Sequence, residues 1–160
     1  MVIKKAKVSW NVEIKIMNCP FCNPKNVSVR IIYKDNLVMA FPTNIPIIPG
    51  HILICPVRHV SKIDQLSNEE LIAIKDLMIR LKSSLIISLN VEGFNVAWNE
   101  GIAAGQAVEH LHLHIVPRKT GDTGIYEYEP RKFLYRPGSR NESPDQELLE
   151  IAELIQGNLK

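Results

Sequence analysis

Three histidines at alternate positions, His110, His112 and His114, are separated by Leu111 and Leu113 and followed by Ile115 and Val116. In an extended strand, residues i, i+2 and i+4 share one face. The pattern therefore predicts a strand over residues 108–116 with imidazoles on one side, Leu111, Leu113 and Ile115 in the core on the other, and Pro117 as its end. Successive histidines on that face stand about 7 Å apart along the backbone, twice the rise per residue, so they can address neighbouring groups of one extended ligand. Imidazoles that titrate near neutrality donate to anionic oxygens, move protons and offer an uncharged nitrogen nucleophile. The chain has only five histidines, and His is seldom fully buried even singly. Three side by side therefore argue for chemistry rather than packing. A metal cluster built from all three is disfavoured, because Glu109 stands on the opposite parity and Asp122 lies well beyond the strand.

The rest of the chain supplies a scaffold of one domain's size. Its 160 residues, 46% hydrophobic and 22% charged, are enough for one buried core. The net charge of +2 makes neither nucleic acid nor an anionic membrane a default partner. No run approaches the roughly 20 apolar residues of a membrane span, and the start lacks a signal-peptide core. These features predict an intracellular, cytoplasmic protein. Alternation of Val8, Trp10, Val12, Ile14 and Ile16 with polar residues predicts an N-terminal strand, and residues 23–27 read as a turn. A hairpin is expected from residues 29–33 and 37–41. Pro42, Pro46 and Pro49 make a rigid loop that delivers His51 to a strand over 51–57. Ser67-Asn68-Glu69-Glu70 fits a capping box, and Leu71, Ile74, Met78, Leu81 and Leu85 then step by three and four along a helix of about 20 residues. A short strand over 94–99, a polar surface segment over 119–141 and a second helix opened by Ser143-Pro144 complete the chain.

Two further clusters carry chemistry. Gly101, Ala103, Ala104, Gly105 and Ala107 allow close backbone approach to a ligand, and Gln106 offers an amide to phosphate oxygen. Cys19 and Cys22, in Cys19-Pro20-Phe21-Cys22, read as a metal or redox pair rather than part of a disulfide framework, since the third cysteine, Cys55, sits in an apolar run as inert core.

Residues 105–118, Gly-Gln-Ala-Val-Glu-His-Leu-His-Leu-His-Ile-Val-Pro-Arg, resemble the motif of the histidine triad superfamily. Pro49-Gly50-His51 and Asn99 stand at matching spacing, and the similarity covers roughly residues 19–129. The resemblance implies an α+β fold: an antiparallel sheet with a long helix packed on it and a short C-terminal helix. It divides the chain into an extension (1–18), the domain (19–129) and a tail (130–160). Superfamily members are nucleotide hydrolases and transferases acting at an α-phosphate. By resemblance, His112 attacks phosphorus, His114 and His51 hold phosphate oxygens, and Asn99, Gly105, Gln106 and Ala107 bind the ribose and phosphate region. No catalytic metal and no organic cofactor are required.

Arg118-Lys119-Thr120-Gly121-Asp122 and Ile125-Tyr126-Glu127 are similar to the fragile histidine triad branch, which cleaves diadenosine polyphosphates. The Cys pair resembles zinc-binding microbial members, which implies one structural zinc held by Cys19, Cys22, His59 and His110. Thr43, with Asn44 beside it, stands where relatives carry a ribose-binding Asn or Asp. Ala107 replaces a common Ser or Thr. The resemblance also implies a homodimer and a purine nucleotide substrate. Two other functions fit the motif: an adenosine phosphoramidase, and a nucleotide-binding regulatory module with incidental catalysis.

Overall fold

The computed structural model describes residues 18–122 and 142–160, so the expected strand over 8–16 and the Ile125-Tyr126-Glu127 motif lie outside the described residues. Five strands, β1 (Tyr33–Lys34), β2 (Val38–Pro42), β3 (Ile52–Pro56), β4 (Gly93–Trp98) and β5 (Leu113–Arg118), form an antiparallel sheet in the order β1-β2-β3-β5-β4. Two helices of more than one turn accompany it among the described residues, α1 (Asn68–Leu89) and α2 (Asp145–Gly157). The α+β architecture is the expected one.

β2 and β3 are buried along their whole length because both faces of the sheet are covered. On one face Val38, Ala40, Ile52, Ile54 and Ile115 pack against Ile74, Leu77, Leu81 and Leu85 of α1 and Ala152 and Ile155 of α2. On the other, Met39, Phe41, Leu53 and Cys55 meet Val27 and Phe21. Cys55 is fully enclosed, as expected of core.

α1 starts as the sequence predicts: the Ser67 hydroxyl accepts from the Glu70 N–H, and the Glu70 carboxylate accepts from the Ser67 N–H. It ends at Asn90 in the left-handed region, whose N–H reaches the Ile86 carbonyl. Burial of a leucine such as Leu81, which is completely enclosed, contributes about 1.5–3 kcal/mol. α2 is fastened to α1 by the Ser84 hydroxyl, which donates to the Ile155 carbonyl, and by Arg80, which donates to the Lys160 carbonyl.

The structure corrects four local expectations. Residues 23–27 are not an open turn: Pro24–Val27 form a single helical turn, with the Asn23 carboxamide accepting from the Lys25 N–H. The first hairpin arm is shorter and begins later than residues 29–33: the paired residues are Tyr33 and Lys34, with the Ile32 N–H also reaching the Ala40 carbonyl, since Ser28–Arg30 form a 3-10 turn with Val29 exposed. Ser143 does not cap α2; its N–H goes to the Asn44 carbonyl, and the helix begins at Asp145 with no side-chain cap. Finally, the histidine strand starts at Leu113 and runs through Pro117 to Arg118. Leu111 gives its N–H to the Val60 carbonyl, which pulls residues before 113 away from β3. Pro117 is tolerated because the β3 pairing has already stopped at Ile115.

Candidate functional site

His51, His110, His112 and His114 are all buried, between 0% and 2% exposed. Their hydrogen bonds fix the tautomers of the neutral rings. A carbonyl only accepts, so the contact of His112 Nδ1 with the His110 carbonyl at 2.7 Å places the ring proton on Nδ1 and leaves the lone pair on Nε2. Burial lowers the His112 pKa, against the opposing pull of that carbonyl, so the ring is neutral near pH 7. The Ile47 N–H, in the proline-rich loop, donates to His51 Nδ1 at 3.2 Å. His51 therefore carries its proton on Nε2, which donates to His114 Nδ1 at 2.9 Å. His114 in turn holds its proton on Nε2. The His112 and His114 ring centroids are 4.9 Å apart, so a bare nitrogen lone pair stands beside an N–H donor.

Gly50 makes this possible. Its φ is +87°, and a Cβ there would lie 2.6 Å from a Leu89 methyl and 3.1 Å from the Pro117 ring. The close passage of the loop over α1 and β5 brings His51 to His114.

Cys19, Cys22, His59 and His110 converge on a second centre, their four donor atoms all within 4.8 Å of one another. Cys19 Sγ and Cys22 Sγ each stand 3.4 Å from His110 Nδ1, and Cys22 Sγ stands 3.4 Å from His59 Nδ1. A tetrahedral ion with the usual metal–sulfur and metal–nitrogen distances sets sulfur and nitrogen roughly 3.6 Å apart, so the spacing suits a metal. His110 Nε2 donates to the Pro56 carbonyl, which keeps the Nδ1 lone pair facing the sulfurs. Burial pushes His110 down to about 4, the uncharged state a ligand needs. Burial and the neighbouring Cys19 push the Cys22 thiol up to about 12, a shift that a bound cation would reverse. The residues present thus fit a closed four-ligand metal site.

A cavity of about 450 Å³ opens over His112, lined among others by Phe21, Arg30, Phe41, Thr43, Asn44 and Ala107. Thr43 is buried and receives the Ile45 N–H on its hydroxyl, while the Asn44 carboxamide donates to Glu142. Gly105, Asn99 and Gln106 are not among the lining residues. The Asn99 carboxamide donates to the Gly105 carbonyl. The Gln106 side chain bridges the Gly101 N–H and the Ser61 carbonyl, so it holds the small-residue loop against the segment after His59. Sequence reasoning did not single out Arg30, Glu142 or Asp145, which also line the cavity. A lone arginine within the apolar run Val27-Ser28-Val29-Arg30-Ile31-Ile32 is the one local signal that could have marked Arg30.

The family model for the HIT domain matches residues 25–121. An uncharacterised HIT-like protein of Methanocaldococcus jannaschii is 33% identical over 113 residues, 69% of this chain and 86% of the relative. A bis(5'-adenosyl)-triphosphatase of Dictyostelium discoideum is 30% identical over 135 residues, 81% of this chain and 87% of the relative. A zinc-bound histidine triad family protein from Mycobacterium smegmatis superposes with a TM-score of 0.71 at 26% identity, covering 90% of this chain and 94% of that one. With its three alternating histidines on the segment that leads into β5, the chain belongs to the HIT family.

Proposed function

We propose that this protein hydrolyses dinucleoside polyphosphates, diadenosine polyphosphates and related nucleotides among them, at the α-phosphate through a covalent nucleotidyl-histidine on His112. The observation that carries the reading is the 2.7 Å bond from His112 Nδ1 to the His110 carbonyl, which aims an unprotonated Nε2 from the protein floor toward a nucleotide-sized cavity. In the first step the Nε2 lone pair forms a bond to phosphorus as the bond to the leaving nucleotide's phosphate oxygen breaks. The positive charge this puts on the ring is stabilised by the carbonyl on Nδ1. In the second step water attacks phosphorus, the P–N bond breaks, and the electron pair returns to Nε2 while the proton leaves with the product. The His51–His114 pair supplies a donor for phosphoryl oxygens, where preorganised hydrogen bonds act on developing charge. Thr43 and Asn44 bind the sugar, Ala107 and Gly105 give backbone access to phosphate, and Asn99 and Gln106 hold that loop in place. The adenosyl triphosphatase relative supports the substrate class.

The metal in this proposal is zinc, bound by Cys19, Cys22, His59 and His110. Four protein ligands leave it no open position, so it supplies structure rather than an activated water. The chain acts as a homodimer, a reading supported by the outer edge of β4, which pairs with no other strand among the described residues, and by the exposed Val96 and Trp98 on that strand. A cytoplasmic location accords with three cysteines that form no disulfide. Among the described residues, no helix is long and apolar enough to cross a membrane.

The test compares turnover of diadenosine tri- and tetraphosphate with that of an adenosine 5'-phosphoramidate. Cleavage of the polyphosphates to AMP and a second nucleotide supports the proposal. Turnover of the P–N substrate alone replaces it with a phosphoramidase. AMP binding without any turnover replaces it with a binding module.

A further inference from the structure

The far end of the cavity over His112 is chemically different from the end at the histidine. Arg30 reaches it from the 3-10 turn after the Cys pair, and Glu142 and Asp145 reach it from the segment that opens α2. The Arg30 guanidinium lies over the Phe41 ring at 5.6 Å, Phe41 meets Phe21 edge-on at 5.2 Å, and Phe21 meets His112 edge-on at 5.3 Å. Two aromatic rings thus separate the arginine from the nucleophile, so Arg30 stands back from the reacting phosphorus on the side where a nucleoside would extend.

Among the described residues, Arg30 Nη2 makes only a long contact, 3.4 Å, to the Asn26 carbonyl. Its Nη1 is buried with no hydrogen-bond partner among the described residues. A guanidinium donor held away from water without an acceptor is unfavourable, so Arg30 gains by turning that donor into the cavity it lines, where a ligand supplies the acceptor. Glu142 and Asp145 act electrostatically on the guanidinium from the same region. A cation flanked by two carboxylates is a poor receiver for a polyphosphate chain, which the carboxylates repel. It is a good receiver for a neutral group with acceptors and donors on adjoining edges. Guanine presents that combination: O6 and N7 accept side by side, and N1–H and the N2 amino group donate side by side. Adenine offers N7 beside an amino donor that a guanidinium repels. The apolar Val29 and Ile45 in the same lining suit the faces of a purine.

We propose that Arg30, with Glu142 and Asp145, forms the nucleobase subsite of this cavity and selects guanine over adenine. This rests on the function proposed above, and it gives that function a base preference. Arg30 directs its donors to O6 and N7, and the carboxylates accept from N1–H and N2. The C-terminal segment thereby becomes a specificity element as well as a packing one, anchored by the Ser143 N–H to the Asn44 carbonyl and by the Asn44 carboxamide to Glu142.

Binding of GMP and of AMP to the full-length, metal-loaded protein, measured by calorimetry, reads this selectivity without any turnover. Failure of the hydrolase reading therefore leaves the measurement intact. The expected result is GMP bound at least tenfold more tightly than AMP, with a matching ratio in KM for diguanosine against diadenosine tetraphosphate. Arg30→Met should bring both ratios to near one. Asp145→Asn, at an exposed position that does not threaten folding, should lower the GMP preference severalfold. The proposal is overturned by equal or tighter binding of AMP to the wild type. It is equally overturned if GMP and AMP weaken by the same factor in both variants, because a purely structural role moves the two ligands together.

Discussion

Replacing Cys22 by Ala removes one of the four proposed metal ligands while leaving the contacts of His51, His112 and His114 in place. Its sulfur stands 3.4 Å from both His59 Nδ1 and His110 Nδ1, so its loss opens the site on two sides. If free zinc is held at about 100 times the dissociation constant, the metal stabilises the folded state by about 2.7 kcal/mol. For a chain of this length each kcal/mol moves Tm by about 2–4 °C, so Cys22→Ala should melt roughly 5–11 °C earlier. Three bonds should survive the substitution: His110 Nε2 to the Pro56 carbonyl, the Leu111 N–H to the Val60 carbonyl, and His112 Nδ1 to the His110 carbonyl. Turnover at low temperature should therefore stay within about tenfold of the wild type, where tenfold corresponds to about 1.4 kcal/mol of transition-state stabilisation. The assay is zinc content by elemental analysis, a thermal melt and a rate at 10 °C on the same sample. A variant that keeps its metal and its Tm would refute the ligand assignment. A metal-free protein that stays folded, loses all turnover and regains it with zinc alone would refute the structural role and call for a metal-activated water.

Three further outcomes follow from the same geometry. His112→Ala should lower kcat by about 1,000-fold or more while AMP binding and Tm change little, if the deleted group is the nucleophile of the proposed covalent step; residual activity within tenfold would remove His112 from that role. Gly50→Ala should destabilise by about 1–3 kcal/mol, through the positive φ and the Leu89 contact, and should lower kcat by displacing His51; an unchanged melt would contradict the packing described. Arg58 holds the Glu70 carboxyl below its ordinary range. The folded state thus prefers the ionised form, and its contribution is present above the unfolded pKa and lost as pH falls through the folded one. Because the Arg58 side chain is 55% exposed, solvent limits that contribution to about 1 kcal/mol or less. Urea melts should show wild type losing its advantage over Glu70→Gln as pH drops from 5 to 3, and an advantage that grows on acidification would contradict the pairing.

The strongest local sequence signals carry through to the structure. The Ser67–Glu70 capping box and Ile74, Leu81 and Leu85 of the three-and-four series carry through to α1, although Leu71 of that series is exposed and Leu77, outside the series, is buried; Pro46 and Pro49 lie in the loop before His51, but Pro42, expected in that loop, ends β2 opposite Ile52. The α+β sheet was legible through the alternating run at 110–116 and its resemblance to known proteins. What was not legible depends on distant partners. The Val60 carbonyl draws Leu111 out of the sheet, so His110 turns to the cysteines and His112 to the cavity, a split that strict alternation would not give. The tautomers of His51 and His114 depend on a main-chain N–H at Ile47, which carries no side-chain signature. Glu142 and Asp145 reach Arg30 from more than 100 positions away, and no pattern near either end announces the meeting.

The stereochemical course at the α-phosphorus tests the covalent histidine most directly. A substrate with a chiral thiophosphate at that position, hydrolysed in oxygen-18 water, records whether phosphorus is displaced once or twice. Attack by His112 followed by attack by water inverts phosphorus at each step, so net retention is the expected result. Net inversion would mean a single displacement by water, and His112 Nε2 would not be the nucleophile.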